Sequence, residues 1–191
     1  MFPQPRYQII YADPPWRYSK FRHWRVMGKG IAAYYETLTT SEIAALPVSK
    51  IAAGDCILFL WTTFPRLPDA LAVIAAWGFT YKTVGFTWLK LNARNGKPFF
   101  GMGHYTRSNC EVCLIGVKGR SLRVSNRVSS VVFAPRQEHS RKPDEVRERI
   151  VTLCGNRPRI ELFARERVSG WDAWGDEVKS DIELAPPSEA S

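Results

Sequence analysis

The sequence predicts an α/β fold built on a mostly parallel sheet. Three observations carry that. Short apolar runs rich in β-branched and aromatic residues recur along the 191 residues, each of strand length. Stretches with helical spacing and their own start and stop signals alternate with them, the pattern that gives parallel strands. The first run is cut off by Asp13-Pro14-Pro15-Trp16. That places a carboxylate at the carboxyl edge of a strand, where open α/β sheets bind ligands.

The elements follow in order. Tyr7–Ala12 is a strand, and the two prolines end it because neither donates a ladder hydrogen bond. Arg17 to Ala33 is polar, basic, glycine-containing and without period. It reads as a loop of a length that is usually functional, and both a lid and an idle insertion stay open. Thr39-Thr40-Ser41-Glu42 has capping-box spacing and opens a helix to Leu46, which Pro47 stops. Cys56–Trp61 is a buried strand. Pro68 to Trp77 is a helix with Leu67, Leu71 and Ile74 on one face and Gly78 at its stop. Thr83–Leu89 is a strand, Asn92 to Tyr105 a loop rich in glycine and base, Glu111–Val117 a strand and Ser129–Phe133 a short one. Pro143 to Leu153 is a helix with Val146, Ile150 and Leu153 on one face, and Arg159–Ala164 is the last strand. Two tryptophans and two glycines between Gly170 and Val178 suggest a tightly packed turn beside the sheet. With no repeat and no linker, residues 1–178 read as a single domain and 179–191 as a disordered tail.

The motif at the end of the first strand suits alkylation of a planar amino group. The exocyclic amine of adenine is a poor nucleophile, because its lone pair is delocalised into the ring. Asp13 and the Pro14 carbonyl, each accepting one N–H on a backbone stiffened by Pro14 and Pro15, would draw that nitrogen towards tetrahedral geometry and free the lone pair. The gain comes from position and from charge placed where positive charge develops. Trp16 could stack on a base taken out of its helix. The bland reading is a turn with a core tryptophan.

Composition narrows the partners. Net charge is +9, and basic globular proteins commonly meet polyanions. Arg17, Lys20, Arg22, Arg25 and Lys29 cluster after the motif. Lys90, Asn92, Arg94, Lys97 and Arg107 mark a second loop without acids, and aromatic residues interleave both. Basic loops with stacking residues suit single-stranded or flipped-out nucleic acid. The longest apolar run, Cys56 to Trp61, is too short to span a membrane. No signal-peptide pattern opens the chain, so a cytoplasmic protein is expected. The four cysteines are then no disulfide set. Cys110 and Cys113 have knuckle spacing but no completing pair or histidine, and residues three apart on a strand point to opposite faces. Buried structural thiols and no metal are expected. There is no Gly-x-Gly-x-x-Gly, no Walker loop and no Ser-His-Asp pattern. His139 and Lys142 precede a helix start, where they either solvate the cap or meet an anion such as the amino-acid end of a cofactor.

Five segments together resemble one family. Asp13-Pro14-Pro15-Trp16, Phe86 to Asn92, Glu138 to Glu145, Ile160 to Arg165 and Trp174-Gly175-Asp176-Glu177 stand in the order seen in the MT-A70-like adenine methyltransferases, bacterial and phage type. The resemblance runs from about Tyr7 to Val178. It implies a class I methyltransferase fold, a Rossmann-like sheet with helices on both faces, whose target-amine motif precedes the main cofactor-binding segment. It implies S-adenosylmethionine as methyl donor and N(6) of adenine in nucleic acid as acceptor. By the same resemblance Asp13, Pro14, Pro15 and Trp16 are the catalytic motif: Asp13 and the Pro14 carbonyl hold the target amine, Trp16 lines the base pocket, and Asp13 also lies close to the cofactor. Lys142 reaches the cofactor carboxylate and Arg165 its ribose. Asp176 and Glu177 fall where relatives often place amides near the adenine or ribose. Some relatives bind the adenine with an acidic residue on an extra upstream strand. This sequence shows neither, so its C-terminal segment is expected to complete that pocket. Asp13 is intact, which favours an active subunit over a scaffold partner.

The compact chain favours DNA as substrate. RNA, another planar amine, and a silent nucleic-acid-binding subunit are the competing readings. A homodimer, or a heterodimer with a second methyltransferase-like subunit, would widen a small basic surface.

Overall fold

The computed structural model of the protein describes residues 6–18, 37–103, 105–137 and 141–184. Among them the strands are β1 (Tyr7–Ala12), β2 (Ala52–Thr62), β3 (Thr80–Leu91), β4 (Cys110–Lys118), β5 (Val131–Pro135), β6 (Arg159–Leu162) and β7 (Asp172–Trp174). The helices are α1 (Thr40–Ala45), α2 (Val48–Ile51), α3 (Leu67–Ala76) and α4 (Glu145–Cys154). The strands form one sheet in the order β5-β3-β4-β2-β1-β6-β7. β1 pairs parallel with β2 and β6, β3 with β5, and β6 with β7. Only β4 opposes its neighbours, β2 and β3.

Two cores flank the sheet. On one face α1, α2 and α3 pack Ile43, Ile51, Val73 and Trp77 against Ile10, Leu58 and Leu60. On the other α4 packs Val146, Ile150 and Cys154 against Ile9, Tyr11, Phe59 and Trp61. β1 and β2 serve both cores, because successive strand residues point to opposite faces. A strand covered twice reads as an unbroken apolar run. The mostly parallel sheet with helices on both faces is the class I methyltransferase-like arrangement that the resemblance implies.

The capping box forms as expected. Thr39 Oγ1 accepts from the Glu42 N–H, and the Thr39 N–H donates to Glu42. The differences have local causes. Pro47 ends α1 but opens α2, since a missing N–H is harmless at a helix start. α3 buries Ala70, Val73 and Ile74 while Leu71 is 37% exposed. Its inward stripe is therefore shifted from the expected one and includes a small residue that lets the helix close on the sheet. Cys154, not Leu153, completes the inner face of α4. β7 replaces the expected turn. The chain does not loosen at Lys179. Asp181 accepts from the Ala173 N–H at 2.8 Å and from Arg167 at 2.9 Å, and Ile182 and Leu184 are buried. Residues 185–191 lie outside the described residues.

The four cysteines are free, with Cys56, Cys113 and Cys154 buried and Cys110 partly so. Among the described residues no group of three or more potential ligands could hold a metal ion. No helix there is long and apolar enough to cross a membrane.

The topology singles out one place. From β1 the chain builds β2 to β5 on one side, then returns through α4 to lay β6 and β7 on the other. The end of β1 is the switch point, where such sheets leave a crevice.

Candidate active site

Asp13 stands in that crevice. It follows Ala12, which pairs with Leu60 of β2 and Leu162 of β6. Because β4 is antiparallel, its start lies at the same edge. Val112 pairs with Thr62, the last residue of β2, and Glu111 comes just before. Trp88 of β3 pairs with Glu111, so the end of β3 arrives there too. Four charged side chains meet as a result. Lys142, from the loop before α4, donates to Asp13 Oδ2 at 2.8 Å and lies 3.3 Å from Glu111 Oε2. Lys90 donates to the other Glu111 oxygen, Oε1. The chain of charges runs Lys90, Glu111, Lys142, Asp13. Trp88 lies under Lys90 and Trp61 under Lys142, their ring centroids 5.1 and 5.7 Å from the ammonium nitrogens.

This network sits where water is scarce. The side chains of Glu111 and Lys142 are 8% and 10% exposed. Burial opposes the charge on Lys142, but Asp13 and Glu111 outweigh it and hold its ammonium protonated above the usual lysine range. Burial likewise opposes ionisation of Glu111. Lys142 and Lys90 overcome it and hold the carboxyl below its usual range. Cys113, fully buried beside Asp13, is pushed far up by burial and then by that carboxylate, so its thiol stays neutral.

The Asp-Pro-Pro-Trp backbone is held as well. The Trp16 N–H donates to the Pro14 carbonyl at 2.9 Å, and the Leu38 N–H donates to the Pro15 carbonyl at 2.9 Å. A carbonyl oxygen has two lone pairs, so the Pro14 oxygen keeps one acceptor site. Trp16 departs from the stacking role expected of it. Its ring is 7% exposed in the first core, and its indole N–H donates to the Trp61 carbonyl at 3.1 Å. It anchors the turn instead.

A cleft of about 570 Å³ opens beside Asp13. Its floor is the buried pair of Arg147 and Glu161, joined by two bonds of 2.7 and 3.0 Å. Arg141 bridges Asp144 and Glu166. Phe163, Arg165 and Glu177 also line the cleft. Phe163 has φ +61°, a left-handed conformation rare outside glycine. Its ring packs edge-on against Trp174 at 5.3 Å. This turn brings Arg165 to the cleft, with its Nε 3.7 Å from Glu177 Oε1. Gly175 presses on the same turn. A Cβ there would lie 2.4 Å from the Ala164 oxygen.

Of the residues expected to serve a cofactor, Asp13, Lys142, Arg165 and Glu177 line this cleft. Asp176 is exposed and outside it. Of those expected to grip nucleic acid, Arg94, Lys97 and Arg107 are exposed and Asn92 is half-buried at the base of the loop. Arg17 is exposed and donates to the Thr37 carbonyl. Lys90 is spent inside the ion network rather than on the surface. Lys20, Arg22, Arg25, Lys29 and His139 lie outside the described residues. Sequence reasoning passed over Glu111, Glu161, Arg147 and Arg136. A signal for the two acids exists: each is a lone carboxylate in an apolar strand, and such a charge is retained only when paired.

Residues 7–177 match the MT-A70 family profile. The chain belongs to the MT-A70 family. The match takes in every element described above. The type II methyltransferase M.MunI of Mycoplasma sp is 35% identical over 92% of this chain and 79% of its own length. The N6-methyladenosine RNA methyltransferase MTA1 of Pyricularia oryzae is 30% identical over 91% of the chain and 47% of itself. The human N(6)-adenosine-methyltransferase catalytic subunit METTL3 is 29% identical over 84% of the chain, which spans 26% of that protein. The MT-A70 resemblance read from five motifs is thus upheld across nearly the whole sequence, and the methyltransferase class with it.

Proposed function

We propose that this MT-A70 protein methylates N(6) of adenine in DNA, with S-adenosylmethionine as donor. The observation that carries the reading is Asp13 at the switch point, its carboxylate fixed by buried Lys142 at the edge of a cleft of ligand size. The cleft's donor set fits the cofactor. Asp13 and Glu177 offer carboxylates for an amine and ribose hydroxyls, Lys142 offers a cation for a carboxylate, Arg165 offers donors to the ribose, and Phe163 offers an apolar face. When bound, S-adenosylmethionine supplies an electrophilic methyl group.

The chain's own residues prepare the acceptor. Asp13 accepts one N–H of the adenine amine and the Pro14 carbonyl accepts the other, so the lone pair leaves the ring system. Lys142 holds one oxygen of Asp13 and stops its carboxylate from rotating. The negative charge therefore already faces the nitrogen as that atom becomes positive, without reorganisation. The surplus proton of the methylated amine leaves along the same hydrogen bond to Asp13. Arg17, Lys20, Arg22, Arg25, Lys29, Arg94, Lys97 and Arg107 are assigned to the polyanion. A second methyltransferase-like chain, a copy or a relative, is placed among the partners, and the activity is placed in the cytoplasm. M.MunI, matched over most of its length, supports DNA. The MTA1 relative, named for RNA, keeps RNA as the competing substrate.

The test incubates the purified chain with methyl-labelled S-adenosylmethionine and, separately, double-stranded DNA, single-stranded DNA and RNA, then identifies the labelled base. N(6)-methyladenine in DNA is expected. Label in RNA alone would replace the substrate. Label in a base other than adenine would refute the acceptor assignment.

A further inference from the structure

Arg136 stands apart from the other cleft cations. Arg141, Arg147 and Arg165 each meet a carboxylate, as does Lys142. Arg136 lines the same cleft, is exposed, and forms no ion pair with a described residue. Its guanidinium carbon lies 3.7 Å from the centre of the Phe99 ring, which is stacking distance.

Both partners are fixed by backbone. The Arg136 N–H donates to the Leu91 carbonyl at 3.2 Å, where β5 ends beside β3. The Phe99 N–H donates to the Lys90 carbonyl, and Pro98 bridges to Leu91. Between them residues 92–97 form a tight turn, with the Asn92 N–H donating to Lys97 and the Gly96 N–H to Asn92, each at 2.9 Å. That turn carries Arg94 and Lys97 outward and returns Phe99 onto Arg136.

A guanidinium laid flat on a ring keeps its in-plane N–H fork for an anion, with part of its ordering entropy already spent. Such a fork matches two oxygens of a phosphate. Arg94, Lys97 and Arg107 are exposed on the loop that carries Phe99, and Asp13 lines the same cleft as Arg136. We propose that Arg136, stacked on Phe99, binds a backbone phosphodiester beside the target nucleotide and so sets how far the base reaches towards Asp13. This rests on the nucleic-acid reading above. The other anion that could enter the cleft is the cofactor carboxylate. Lys142, buried beside Asp13, is the better placed for it, while Arg136 stands at the exposed rim.

The test uses the full chain and the variants Arg136→Ala, Arg136→Lys and Phe99→Leu, each checked for a native melting curve. Affinity for labelled adenine-containing duplexes and single strands is measured by anisotropy at several salt concentrations, and S-adenosylmethionine affinity by calorimetry. Arg136→Ala should weaken nucleic-acid binding about tenfold for every sequence and lower the salt slope by about 1. Cofactor affinity should stay within about twofold. Arg136→Lys should restore the slope but not the affinity, because a point charge lacks the fork. Phe99→Leu should keep the slope and weaken binding severalfold. Unchanged nucleic-acid affinity and slope in Arg136→Ala, beside a wild type that binds, would overturn this proposal alone. A loss confined to cofactor affinity would reassign Arg136 and overturn it too. A wild type that binds no nucleic acid at low salt would overturn the functional reading itself.

Discussion

Replacing Glu111 by glutamine tests the charge network most directly. The substitution keeps shape and removes the one carboxylate between Lys90 and Lys142. Those two ammonium groups then lie in a poorly hydrated site with one carboxylate fewer to balance them. Breaking a buried pair by removing one partner costs about 3–5 kcal/mol. The glutamine oxygen still accepts one hydrogen bond, so a loss of about 3 kcal/mol is expected. For a chain of this size that lowers Tm by about 6–12 °C. Circular dichroism at 222 nm follows it. The cycle with Lys90→Met sharpens the test, because removing both charges should recover at least about 1 kcal/mol of the loss. Methyl transfer should fall as well, since Lys142 loses its Glu111 contact and no longer sets the Asp13 carboxylate at the same angle. A Tm within about 2 °C of wild type, with no coupling in the cycle, would refute the claim that Glu111 holds the lysines.

Three other outcomes are expected. Asp13→Asn should lower methyl transfer by about 10²–10³-fold, the scale of losing one preorganised charge at a transition state, while nucleic-acid anisotropy stays unchanged. Gly175→Ala forces the C-terminal segment away from the Ala164 backbone, and a loss of about 1–3 kcal/mol in urea unfolding is expected. The network also sets a pH profile. Glu111 titrates below its unfolded value, so its contribution is present above about pH 4.3 and fades as pH falls through the folded value. Lys142 titrates above its unfolded value, so its contribution is present below about pH 10.4 and fades as pH rises through the folded value. Tm attributable to the network should be flat from about pH 5 to 10, and a Glu111→Gln difference that changes sign near neutrality would contradict it.

The sheet was legible because strands covered on both faces advertise themselves. β1 and the buried part of β2 needed only their apolar runs. The outer ends of β2 and β3 were not legible, since Asp55, Thr80 and Lys82 are polar, the first half-buried and the other two exposed, and a ladder bond leaves no trace in side-chain chemistry. Asp13 was legible from its two prolines. Its partners were not. Glu111 and Lys142 lie 98 and 129 positions away in number, and only the antiparallel setting of β4 brings Glu111 to the right edge. Lys90 shows the converse. In sequence it belonged with the loop cations, but one step along β3 separates an interior ion pair from a solvated tip.

The 129-residue separation of Asp13 and Lys142 also matters during synthesis. The strand carrying Asp13 leaves the ribosome early, while its lysine is added some 6–26 s later at about 5–20 residues per second. Until then Asp13 lacks its cation and cannot be dried without cost, and Glu111 has Lys90 alone. The nascent chain thus has reason to keep this edge of its sheet open to water. A product truncated before Lys142 would carry the whole Asp-Pro-Pro-Trp motif and still have no formed site.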